Sequence, residues 1–168
     1  SFIDIPTEQT TAVTDAVLAI LGVIVVRGLS KLQRDPLKVK IWTWAIGLIT
    51  LAAALGAVAH GFKMSKEVNY AIWQPLNLSL GLAVALFAIG VIYDIKGQQL
   101  PMKTARVILW LGILFYGVTL VLPEEGFLVF ILYESVAMLF ALGAYIWLGT
   151  AKKLTGSWLM AAGIFVSM

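Results

Sequence analysis

The strongest constraint on this chain is the recurrence of apolar runs about 20 residues long, the length at which an α-helix crosses a hydrocarbon core of about 30 Å. Short polar links separate the runs. Counting along the 168 residues predicts helices at roughly 10–28, 40–62, 71–94, 104–122 and 127–149. A sixth begins near Ser157, and its eleven residues from Trp158 to Met168 reach only about 16 Å, half a bilayer. The natural protein is therefore expected to continue, with six or seven helices in all. The fold class that follows is all-α: a polytopic transmembrane helix bundle of five full spans plus a sixth cut short. No link is long enough to separate domains and no repeat is evident, so 1–168 reads as a single transmembrane domain.

Composition excludes the alternatives to a membrane protein. The chain is 61% hydrophobic and only 12% charged, well away from the balance of a soluble domain. It contains no cysteine, which rules out disulfides, thiolate metal sites and cysteine nucleophiles. The first residues, Ser-Phe-Ile-Asp-Ile-Pro, offer neither a cationic n-region nor a small-residue cleavage site, so the first helix reads as its own insertion signal.

Cations set the expected orientation. Arg27, Lys31, Arg34, Lys38 and Lys40 flank the first link, Lys96, Lys103 and Arg106 the third, and Lys152 and Lys153 the fifth. Only Lys63 and Lys66 fall on the other side, a division of ten to two. The positive-inside rule then places links 1, 3 and 5 in the cytoplasm and the N-terminus outside. Trp42, Trp44, Trp110, Trp147 and Trp158 collect toward the inner interface and Trp73 toward the outer one, as an aromatic belt would. The basic first link is either a solvated turn that orients the chain or a contact for anionic lipid or a partner. Nucleic acid is excluded as a partner, because orientation in the bilayer accounts for the net charge of +3.

Once oriented, the polar residues gather in the outer leaflet. Glu8, Thr11 and Asp15 fall at i, i+3 and i+7 on one face at the start of the first helix, and Gly22 continues that stripe. His60, the sole histidine, closes the second helix, whose Ala52, Ala53, Gly56 and Ala57 form a small-residue stripe that allows close approach. Gln74, Asn77 and Gly81 repeat the same spacing down the third helix, where Pro75 is expected in the first turn. Glu134 lies about two turns into the fifth. A carboxylate inside the hydrocarbon must be paired, protonated or wetted, so Asp15 and Glu134 mark a ligand site more firmly than Glu8 or the amides.

Three readings fit that set. Asp15, Glu134 and the imidazole of His60 are ordinary ligands for a divalent metal such as zinc or manganese, and a metal-bound water would be a hydrolytic nucleophile. Proton exchange between Glu134 and Asp15 or His60 is a second, although the inner halves of the helices hold few polar groups besides Asp94. Alternatively the cluster fixes helix register in a non-catalytic accessory subunit of a larger membrane complex, of electron-transfer or photosynthetic type. Two-histidine haem ligation is excluded for this chain alone, while a single axial ligand from His60 to haem or chlorophyll stays open. Whether the protein is an enzyme is left undecided by the residues.

The stretch Thr7-Glu8-Gln9-Thr10-Thr11-Ala12-Val13-Thr14-Asp15 and the segment Gly56-Ala57-Val58-Ala59-His60-Gly61-Phe62 resemble an uncharacterised family of bacterial polytopic membrane proteins. Leu78-Ser79-Leu80-Gly81-Leu82 is a weaker third element. The resemblance implies a bacterial inner-membrane bundle of about seven helices with no established activity. In layout alone the chain is also similar to the alkaline ceramidase and progestin-receptor superfamily, in which three histidines hold zinc; two of those histidines have no counterpart here.

Overall fold

The computed structural model describes residues 1–122 and 126–167. Six helices follow in order: α1 Pro6–Ser30, α2 Pro36–Gly61, α3 Lys66–Lys96, α4 Met102–Val121, α5 Gly126–Thr150 and α6 Ser157–Ser167, with a 3-10 turn at Gly97–Gln99 after α3. Among the described residues there is no strand, only an isolated bridge between Phe2 and Phe62. The first five helices are long and apolar enough to cross a membrane, so the chain is an all-α, multi-pass membrane protein.

The helices are longer than their apolar runs, because hydropathy registers only the segment matched to hydrocarbon. Both α1 and α2 start four residues early, each with a proline in its opening turn, where the missing N–H costs little and φ is already helical. Asp35 caps α2 in a left-handed conformation (φ 46°), its carboxylate accepting the Lys38 N–H at 3.2 Å. Ser65 does the same for α3, accepting the Val68 N–H at 3.3 Å. That cap overturns the placing of Pro75 in a first turn: α3 begins nine residues before it, and Pro75 stands inside the helix. An interior proline leaves the carbonyl one turn back without its helical partner. The last residue expected in the sixth helix, Met168, lies outside the described residues.

The chain divides into two compact units, Ser1–Ala83 and Val84–Met168. In the first, α1 and α2 run antiparallel with small residues between them. The less exposed positions of α1 include Glu8, Ala12, Asp15, Ala19, Gly22, Val26 and Leu29, alternating steps of four and three that keep one seam against a neighbour. On α2 the buried residues include Ala45, Ala52, Ala53, Gly56, Ala59 and Gly61. The contact is close enough that a Cβ on Gly22 would fall 2.9 Å from Thr50 Cβ, and one on Gly56 would fall 2.5 Å from Asp15 Oδ2. Apolar residues turned away from the seam, such as Val13, Ile20 and Ile24, are exposed, as suits a helix whose solvent is lipid.

The second unit is built from bulk. Val91, Tyr145 and Leu148 are almost wholly buried, and Phe115 stacks on Tyr133 with centroids 4.9 Å apart. Tyr145 donates its hydroxyl proton to Asp94 at 2.8 Å, which gives the carboxylate near the end of α3 a partner. Helix α6 returns against α5, with the Trp158 indole lying over Gly149.

Candidate functional site

Glu8, Asp15 and His60 lie toward the end of the first unit where α1 begins and α2 ends. Antiparallel packing brings Glu8, in the first turn of α1, beside His60, in the last turn of α2. Glu8 Oε2 lies 2.6 Å from His60 Nδ1, with the imidazole 24% and the carboxylate 38% exposed. Trp73 of α3 meets the His60 ring edge to face, with centroids 5.5 Å apart and an interplanar angle of 86°. Asn69, one turn earlier on α3, donates to the Ala59 carbonyl at 3.4 Å. His60 is thereby held from two sides.

The pairing defines the chemistry of the ring. With Glu8 ionised, Nδ1 carries the proton and donates it, leaving the lone pair on Nε2 as an acceptor. Nε2 has no hydrogen-bond partner among the described residues. An imidazole oriented by a carboxylate at one nitrogen and open at the other can accept a proton, bind a polar ligand or ligate a metal. Two turns down α1, Asp15 sits against Gly56, half-buried and within electrostatic reach of His60. Gly56 is what admits it, since any side chain there would displace the carboxylate.

A strap closes this end of the unit. The Ile3 N–H donates to the Gly61 carbonyl at 3.1 Å and the Lys63 N–H to the Ser1 carbonyl at 2.9 Å. Phe2 stacks on Phe62 at 5.1 Å, and Lys63 pairs with Asp4. Gln9 donates its side-chain N–H to the Ile3 carbonyl at 2.6 Å, tying the arm back to α1. None of this carried a sequence signal beyond complementary residue pairs about sixty positions apart. Trp73, read from the sequence as a belt residue, likewise turns out to be a wall of the site.

The remaining sequence candidates are placed as follows. Thr11 is exposed, its hydroxyl bonded to the Thr7 carbonyl at 3.0 Å; the buried seam runs through Ala12 instead. Gln74 bonds within its own helix, to the Tyr70 carbonyl at 3.4 Å, and Asn77 is half-buried one turn on. Glu134 is half-buried on α5 and belongs to the second unit. Among the described residues no group of three or more His, Asp or Glu side chains is arranged to hold a metal ion.

Residues 10–168 match a family described as being of unknown function (DUF6962), and the chain belongs to that family. No curated protein matches it. No solved structure does so either.

Proposed function

We propose that this member of the DUF6962 family is a bacterial inner-membrane protein that binds a small polar ligand in its outer leaflet, through His60 with Asp15 beneath it. The observation that carries this reading is the 2.6 Å contact between Glu8 and His60 Nδ1, which leaves Nε2 to face a ligand. The orientation is supported by the ten cations at the opposite ends of the helices. A divalent cation is one form the ligand could take, with His60 Nε2 and Asp15 as protein donors and water completing the shell. Hydrolysis would further require that a bound water be activated there, so catalysis is a narrower proposal than binding.

A second reading has its own support. The same polar groups lie on a seam of small residues, where they would also serve to fix register between α1 and α2 in an accessory subunit. Under that reading Asp15→Ala loosens assembly and partner chains accompany the protein from native membranes.

The single histidine makes the test clean. Diethyl pyrocarbonate should modify His60 readily in the wild type and several-fold more slowly in Glu8→Gln, because an amide no longer fixes the tautomer that keeps the Nε2 lone pair available. Zinc should protect the wild type, and the protection should weaken about 10-fold in Glu8→Gln, the usual cost of removing an orienting carboxylate. Equal modification rates in the two proteins would remove the basis for the site. Zinc that never protects would remove the metal form of it.

A further inference from the structure

The other end of the α1–α2 pair carries a different feature. Arg27 in the last turn of α1, Lys31 at its C-cap, Arg34 in the link and Lys40 in α2 are all exposed. None of the four has an ion pair among the described residues. Asp35, the single acid of this turn, is engaged in capping α2. The link is tied at its two ends: the Lys31 N–H bonds to the Gly28 carbonyl at 3.3 Å and the Leu32 N–H to the Leu29 carbonyl at 3.0 Å, and the Asp35 carboxylate accepts the Lys38 N–H at the start of α2. The four charges are therefore presented where two closely packed helices end and begin, and on the short link that joins them.

What lies beside them identifies the partner. Ile20, Ile24, Arg27 and Lys31 share one face of α1, and the first two are 63% and 60% exposed. On α2, Lys40, Trp44 and Leu51 share a face, with Trp44 58% and Leu51 47% exposed. On both helices an uncovered apolar stripe gives way to cations at the same end, and on α2 an exposed tryptophan marks the change. In a membrane these stripes face acyl chains, which sets the adjoining cations at the level of the headgroups, where the anions at hand are phospholipid phosphates. An anionic phospholipid complements both, with its chains along the stripes and its phosphate at the cations.

We infer that the turn from Arg27 to Lys40 is a binding site for the headgroups of anionic phospholipids. Arg27 and Lys31 approach from α1 and Lys40 from α2, with Arg34 between them. Asp35 holds the turn and takes no role in the contact. The site is independent of the His60 reading, being at the opposite ends of the same two helices.

The test is native mass spectrometry of the full chain released from mixed micelles holding equal amounts of phosphatidylglycerol and phosphatidylcholine. Every exposed cation attracts anionic lipid to some degree in a mixed micelle, so the site is read from the difference between substitutions in the turn and one elsewhere. The wild type should retain phosphatidylglycerol over phosphatidylcholine. Each of Arg27→Gln, Lys31→Gln, Arg34→Gln and Lys40→Gln should reduce that preference about fivefold, and the quadruple variant should abolish it. Lys66→Gln, at the far end of the unit, should leave it unchanged. Circular dichroism identifies any variant that has lost its helices, and the single substitutions then decide the outcome. A wild type with no preference, or folded variants that keep the wild-type preference, would overturn the site.

Discussion

The two units solve the same packing problem with opposite means. In Ser1–Ala83 the contact between α1 and α2 is made by glycine, alanine and short polar side chains, so the backbones come close and Glu8, Asp15 and Thr50 lie between them. In Val84–Met168 the contacts are made by large rings, including Phe115 on Tyr133 and Trp158 over Gly149. Bulky side chains packed in this way leave a gap beside them. The second unit contains a cleft of about 380 Å³ lined by Val84, Ala88, Ile108, Leu111, Tyr133 and Ala137. In lipid, where apolar surface is satisfied by acyl chains as well as by protein, shape complementarity rather than hydrophobicity decides which helices associate. The close seam of the first unit holds Asp15 against Gly56, whereas the second unit places Asp94 beside the Tyr145 hydroxyl.

Substitutions at the contacts would break this contrast. Gly22→Ala should have the largest effect, a loss of about 3 kcal/mol in thermal or denaturant melts in detergent, because a Cβ there would fall 2.9 Å from Thr50 Cβ, whose hydroxyl is already bonded to the Ile46 carbonyl at 2.7 Å. A variant as stable as the wild type would mean the seam is looser than its geometry. Gly149→Ala should cost less, about 1–2 kcal/mol, since a Cβ there would lie 2.9 Å from Trp158 ring atoms that can tilt with α6. Ala88→Leu, which fills some of the cleft, should change stability by less than about 0.5 kcal/mol, since the added side chain only replaces lipid contacts. A larger gain would show that the cleft is empty in the membrane.

Some of the candidate site is legible in the residues alone. Asp15 and His60 draw attention because ionisable groups inside a spanning run need a reason, and the stripe through Ala52, Ala53 and Gly56 announces a close neighbour. Thr11 shares the spacing of Glu8 and Asp15 yet is exposed, because spacing alone does not distinguish a seam centred on Ala12 from one shifted toward Thr11. Pro75 misleads because an apolar count begins where the hydrocarbon does, whereas α3 begins at the polar cap Ser65. The arm that straps Phe2 to Phe62 is invisible, being two short segments without a periodic pattern of their own.

From sequence alone came the number of spans, the all-α class and the identity of the groups that burial would make costly. Each of these follows from composition and period within one segment, where the bilayer imposes a length and a helix imposes a repeat. Tertiary structure alone decided that Glu8 meets His60, that Trp73 faces the imidazole and that Gly56 makes room for Asp15. Those pairings depend on which helix lies against which and in what register, and register is set by fitting side chains together across a contact that no single segment contains.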